Sequence, residues 1–337
     1  MLELLLVLFT LSITLIINFY LTKKKILLDK KYSAHKSYTS EKQIPLSGGL
    51  VILISLFFFG SYDLFILKLV LVFIFLIGFF SDINYLNSPV KRLILQIFFV
   101  TVFILINQTY ISSVRIPLFD NFLNNFFFKY LFTLFCLMIL INGSNFIDGL
   151  NSLSIGYFLL VILTVCFVNF KYELNINTFN LNIMGLILTI LIVFNLSGKL
   201  YLGDSGAYLM SFFIGLELIN ISNFTESVSP YFVALLLWYP AYENLFSIIR
   251  KKLKNSSAII ADNNHLHQLL FSYFRKKKIR LIFSNTFSAL IINFYNLIIF
   301  YFATENISQT KNLILLLVIN LIIYNSIYLL LKKKLTN

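Results

Sequence analysis

Charge is scarce in this chain: Asp, Glu, Lys and Arg make up 12% of its 337 residues, about half the share in an ordinary soluble domain. That scarcity excludes a soluble enzyme. It also excludes a disordered chain, which needs low hydrophobicity and high net charge. Cysteine is nearly absent, with Cys136 and Cys166 both set inside apolar runs, so neither a disulfide framework nor a CxxC metal or redox pair is available. No Pro- or Ser-rich linker divides the chain and no repeat of about 20 to 50 residues is visible, so residues 1–337 read as a single membrane domain. Acidic side chains are few, 14 against 27 basic, for a formal charge of +13. On a soluble chain that excess would suggest a nucleic-acid partner. Here it reads as membrane topology, and no nucleic acid is expected. No positive side chain precedes the first apolar run, whereas Lys23, Lys24 and Lys25 follow it, so that run is expected to stay as a helix and not to be cleaved.

What the chain has in abundance is apolar surface, 59% by residue count. Eleven runs approach the roughly 20 residues that cross a bilayer: about 4–21, 46–62, 64–80, 93–111, 126–141, 153–170, 179–196, 206–222, 231–249, 281–303 and 312–331. Lys and Arg accumulate on the cytosolic side of membrane proteins. With the first helix starting outside, 22 of the 27 basic residues fall on that side, leaving only Lys68, Arg115, Lys129, Lys171 and Lys311 opposite. The expected fold is therefore an all-α polytopic integral membrane protein of about eleven transmembrane helices, N-terminus out and C-terminus cytosolic. Its longest connections, about 22–45 and 250–280, are basic and cytosolic in this reading.

Polar groups at membrane depth are costly and commonly line a cavity or a site. Four polar clusters interrupt the apolar background, each at a cytosolic helix end. The first runs from Gly78 through Ser81 and Asp82 to Ser88, Pro89, Lys91 and Arg92. An acid followed by two cations across a turn suits a phosphate beside a proton acceptor or metal ligand; an acidic helix cap is the plainer reading. In the second, Asn142, Asn145 and Asp148 recur every third residue before Gly149, on adjoining positions of one helix face. Amides and a carboxylate there can read a base, a sugar or a metal-bound water, and a helix stop with an Asp-Gly turn is the alternative. The third, Leu202-Gly203-Asp204-Ser205-Gly206, offers a carboxylate and helix N-terminal amides to a Mg²⁺-diphosphate, or Asp204 as an N-cap. In the last, Asp262 to Gln268, His265 and His267 suit phosphate or sugar better than zinc, for no Cys or third nearby His completes a zinc set. His35 reads as a membrane-surface residue. Glu243 either lines the same site or pairs with a cation such as Arg250.

Together these residues resemble the polyprenyl-phosphate N-acetylhexosamine-1-phosphate transferases (glycosyltransferase family 4), especially the undecaprenyl-phosphate GlcNAc-1-phosphate transferase-like branch. The resemblance rests on Ile44-Pro45-Leu46-Ser47-Gly48-Gly49, like the family's IPxxGG; on Asp82 with Ser88-Pro89-Val90-Lys91-Arg92, like its aspartate motif and SPxxR; on Asn142, Asn145, Asp148, Gly149 and Leu153, like NxxNxxDGxxxL; on Leu202 to Gly206, like LGDxG; and on His265-Leu266-His267, like HIHH. Three departures stand out. Ser81 sits where the family usually has the first of two aspartates, one extra residue lies among Ile83 to Asn87, and Gln268 replaces the last histidine.

The resemblance implies attack of polyprenyl phosphate on a UDP-N-acetylhexosamine, releasing UMP and starting a lipid-linked cell-envelope glycan. It implies Asp82, Asp148 and Asp204 as catalytic residues and Mg²⁺, or Mn²⁺, on Asp204 and Asp148. Asn142, Asn145, Lys91 or Arg92, His265 and His267 would contact substrate. The setting implied is the bacterial cytoplasmic membrane, active site facing the cytosol, with a homodimer possible. A phospho-N-acetylmuramoyl-pentapeptide transferase is the nearest alternative. A transporter or lipid flippase, the rival from another class, predicts midplane acids and paired repeats, which this sequence lacks.

Overall fold

The computed structural model describes residues 1–29, 43–61, 65–253, 255 and 263–336. His35 and Asp262 lie outside the described residues. Among those described, fourteen helices follow one another with no strand: α1 Leu2–Lys24, α2 Gly48–Phe59, α3 Phe65–Asp82, α4 Pro89–Ile106, α5 Pro117–Leu123, α6 Phe126–Ile147, α7 Leu153–Tyr172, α8 Phe179–Leu196, α9 Gly203–Phe224, α10 Pro230–Leu236, α11 Trp238–Leu253, α12 Leu266–Lys276, α13 Leu281–Thr304 and α14 Thr310–Thr336. Nine are long and apolar enough to span a bilayer. Their exteriors stay apolar, as on α1 and α13, where Leu15, Ile16, Phe19, Ile282, Leu290 and Phe294 are exposed; such faces are stable only against lipid.

The all-helical polytopic expectation holds, and two of the eleven runs take a form that hydropathy did not suggest. The run 46–62 yields only α2, 12 residues, or about 18 Å against roughly 30 Å of hydrocarbon. Its first residues pair with neighbouring segments instead. Leu46 N donates to Leu27 O, Tyr201 N to Pro45 O, Gly48 N to Tyr201 O and Gly49 N to Leu202 O, so this backbone is already paired before the helix begins. The run 231–249 breaks into α10 and α11, bent by 73°. Pro240 lacks an N–H and cannot bond back to the Leu236 carbonyl. The buried Tyr157 hydroxyl on α7 donates to Leu236 O at 2.8 Å and accepts from Tyr239 N at 3.3 Å. That satisfies the freed backbone at a depth where water is absent.

α9 is the axis of the bundle. It packs on α2, α3, α6, α7 and α10, and from Ser205 to Leu216 every residue is buried. Close approach at its start depends on glycine in its neighbours. A Cβ on Gly78 of α3 would lie 2.3 Å from Ser205 Cα, and one on Gly49 of α2 would lie 2.6 Å from Gly206 N. On α6, a Cβ at Gly143 would meet the Pro240 carbonyl oxygen at 2.0 Å.

Candidate active site

These contacts bring the four polar clusters to one end of the bundle, where the C-terminal ends of α3 and α6 meet the N-terminal ends of α4, α9 and α12. Asp82, the last residue of α3, faces the first turn of α9. Its Oδ1 accepts from Asp204 N at 2.9 Å, and its Oδ2 accepts from Ser205 N at 3.1 Å and Ser205 Oγ at 2.8 Å. An acid at a helix N-terminus satisfies orphan amides and complements the helix dipole. Gly203, at φ +75°, makes the turn possible, since a Cβ there would sit 2.7 Å from Asp82 Oδ2. The capping role entertained for Asp204 thus belongs to Asp82, supplied from another helix. Both oxygens of Asp82, the residue expected to take a proton from or orient the lipid phosphate, accept hydrogen bonds from α9.

Freed from capping, Asp204 points at α4 and the end of α3. Its Oδ2 accepts from Arg92 Nη1 at 2.6 Å and from Ser81 Oγ at 2.6 Å, while Arg92 Nη1 also reaches Ser81 Oγ at 2.5 Å. Arg92 stands on the first turn of α4, which starts at Pro89 and is capped by Ser88 accepting from Lys91 N. Of the two cations offered by the sequence, Arg92 faces the acid and Lys91 is exposed. Tyr208, one turn along α9 from Asp204, extends the network inward. Its buried hydroxyl lies 3.5 Å from Arg92 Nη1 and accepts from Asn145 Nδ2 at 3.3 Å. Asn142 donates to Met138 O at 2.9 Å and to Gln96 Oε1 at 3.4 Å. The two asparagines therefore face α4 and α9, as their shared helix face suggested.

Asp148 follows the end of α6 and lines a small recess with Asp29, Asn151, Asn195, Tyr201 and Leu202. Asn195 braces that recess, accepting from Ser152 N at 2.5 Å and donating to Leu200 O at 2.8 Å. Behind the Asp148-Gly149 turn stands His267, so close that a Cβ on Gly149 would lie 3.0 Å from its Nε2. His267 is fully buried, and neither ring nitrogen has a hydrogen-bond partner. Burial pushes its pKa down from 6.5 to about 3, so it is neutral. His265 stacks on it at 5.7 Å between ring centres and pairs through Nδ1 with Glu243 at 2.8 Å. Glu243 Oε1 also accepts from Leu266 N at 3.0 Å, capping α12.

The rings of both histidines stand close behind the Asp148-Gly149 turn. Of the two readings for Glu243, the structure shows the acid holding His265 under the site, while Arg250 donates to Asn264 O and Tyr328 Oη. Gln268 has a structural reason as well, since its Oε1 accepts from His265 N at 3.1 Å and closes the start of α12.

Sequence reasoning missed Tyr208, Gln96, Asn195 and Asp29 as members of this region. Tyr208 lies four residues after Asp204 and Gln96 four after Arg92, one helical turn deeper on the same faces. That spacing was the available signal. Asn195 and Asp29 carried none.

No curated protein matches the chain. Residues 64–222, which contain Ser81, Asp82, Arg92, Asn142, Asn145, Asp148 and Asp204, match the family model described as glycosyl transferase family 4, a likeness that supports a transferase.

Proposed function

We propose that the protein transfers an N-acetylhexosamine-1-phosphate from a UDP-sugar to a polyprenyl phosphate. A phosphate oxygen of the lipid attacks the phosphorus next to the sugar, the bond to UMP breaks, and UMP leaves with the electron pair. The observation that carries this reading is the meeting of Asp204, Arg92 and Ser81 at one end of a lipid-facing bundle, within the family 4 segment. The lipid phosphate is already ionised near neutral pH, so the protein's task is to position and screen anions more than to remove a proton. Arg92 and the α4 N-terminus supply positive charge beside Asp204. Asn142, Asn145 and Tyr208 offer hydrogen bonds deeper along the same face. The turn bearing Asp148, held by Asn195 on one side and His267 on the other, would meet the nucleotide or metal side of the donor.

Among the described residues no three His, Cys, Asp or Glu side chains gather as a ready metal site. Magnesium needs fewer protein ligands, taking one or two carboxylates and completing its shell with water and substrate phosphates. Asp204 with Asp148 would hold Mg²⁺ or Mn²⁺, which supplies charge neutralisation on the leaving phosphate. An apolar cavity of about 280 Å³ between α6, α9 and the α10–α11 bend, lined by Phe135, Leu140, Gly215, Ala234 and Leu237, offers room for prenyl carbons. A cytosolic site is favoured by the positive-inside rule, since Arg92, Lys199, Arg275 and Lys333 lie at its end of the bundle; the bacterial inner membrane is the setting the resemblance implies.

UMP release tests the reading, using detergent-purified protein, undecaprenyl phosphate and a panel of UDP-N-acetylhexosamines. Release requires lipid, divalent cation and one donor, and Asp204→Asn lowers it on the order of a hundredfold or more. Undiminished turnover by a folded Asp204→Asn protein overturns the assignment.

A further inference from the structure

Asp204 does not face the site as a bare carboxylate. One oxygen, Oδ2, receives both the Ser81 hydroxyl and the Arg92 guanidinium at 2.6 Å, which accounts for the two lone pairs of a carbonyl-type oxygen. The Ser81 hydroxyl donates to Asp204 and accepts from Arg92, so its single proton and its acceptor capacity are both engaged. The triangle is electrically neutral and still reachable, with Arg92 and Asp204 side chains 19% and 20% exposed. The adjacent acid, Asp82, bonds to the α9 amides and the Ser205 hydroxyl.

Resting on the transferase reading above, we propose that Arg92 is the resident counter-ion of Asp204 and competes with the divalent cation for that carboxylate, with Ser81 setting the terms of the competition. A guanidinium on Oδ2 repels a second cation at the same carboxylate and occupies one of its two oxygens. A carboxylate at position 81 would add a negative charge at the contact and favour a doubly charged ion over a singly charged one. The hydroxyl adds none and ties the guanidinium in place. Any anionic phosphate that draws Arg92 away then raises the cation affinity of Asp204, and by linkage the cation raises the affinity for that phosphate. Ser81, a departure from the resembled motif, thereby becomes a residue that couples metal loading to phosphate binding.

The test is Mn²⁺ binding to the full-length protein in detergent, without substrate, followed by the electron paramagnetic resonance signal of free Mn²⁺. Arg92→Gln removes the competitor and Ser81→Asp adds an anion. Each is expected to tighten Mn²⁺ on the order of tenfold or more, the scale on which a neighbouring charge alters a carboxylate's affinity for a proton. Lys91→Gln removes the same charge one residue away from the carboxylate contact and is expected to change affinity less than about twofold, the size of a solvated surface term. Asp204→Asn is expected to abolish the binding gained by either variant.

If Asp204→Asn weakens Mn²⁺ binding while folded Arg92→Gln and Ser81→Asp bind no tighter than wild type, competition is wrong and the metal assignment stands. If Asp204→Asn leaves binding unchanged in every background, the metal assignment fails and the proposal with it. Should one variant fail to fold, the other decides.

Discussion

Asp82 and Asp204 are two acids whose roles separate once their partners are known. Asp82 accepts three hydrogen bonds from the start of α9, and its removal should cost about 1–2 kcal/mol, the usual loss of an N-cap. Asp82→Ala is expected to lower both thermal stability and turnover. Asp82→Asn keeps an acceptor oxygen and should recover most of the stability, as read by the apparent Tm of the detergent-purified protein; a variant as unstable as Asp82→Ala would show that charge, not capping, matters there.

His267 gives a pH signature at the same scale. An unfolded histidine binds a proton below about pH 6.5 and the folded one only below about 3. The unfolded state therefore takes up more protons across that window, and stability falls as pH drops through it, by up to about 1.4 kcal/mol per pH unit. Comparing the apparent Tm of wild type and His267→Gln at about pH 7.5 and about pH 5 should show the wild type losing more. An identical loss in both proteins would remove His267 as the titrating group.

At the scale of elements, the site is a consequence of how closely α3 can approach α9. Gly78 sets that distance: a methyl group at its Cβ would stand 2.3 Å from Ser205 Cα and 2.4 Å from Ser205 N, atoms of backbone that cannot rotate aside. Gly78→Ala is expected to push the helices apart, costing about 1–3 kcal/mol as overpacking does, and to pull Asp82 off the α9 amides. Activity should fall further than for an alanine at the lipid-facing Leu69, which is exposed on the same helix. Equal activity in the two variants would mean that α9 keeps its cap when the helices separate. The break between α10 and α11 belongs here too, because Tyr157 from α7 makes it tolerable by bonding both freed backbone groups.

At the scale of the whole molecule, the ends of the bundle differ in chemistry. One end carries Arg92, Lys199, Arg275 and Lys333; the other is tied by Arg115 to Glu226 O and Val228 O and by Lys171 to Glu305. The basic end is expected to face the cytosol. A single cysteine at Lys311 in right-side-out vesicles should react with an impermeant maleimide, and one at Lys199 should react only after permeabilisation. The reverse pattern would invert the topology and move the site outside.

Legibility follows from the range of the interactions. Membrane helices were readable because about twenty apolar residues in a row are a local property, and lipid asks nothing more of them. The acids, amides and histidines were readable as candidates for the same reason: each breaks an apolar background within a few residues. Their partners were not, because Ser81 meets Asp204 across 123 positions of chain and Asp82 meets Ser205 across 123, separations on which no periodicity bears. Likewise Glu243 looked equally suited to Arg250 and to the site until α12 folded back over it.

The sequence by itself determined that this chain lives in a membrane, roughly where it crosses, and which polar residues have to be accommodated. Only the tertiary structure decided that α2 stops short, that Pro240 bends a span in two, that Asp82 caps while Asp204 is left to bond with Arg92, and that both histidines stand behind the site. The physical reason is that hydropathy is summed along the chain, whereas the partner of a buried polar group is chosen by whichever helix comes near enough to satisfy it.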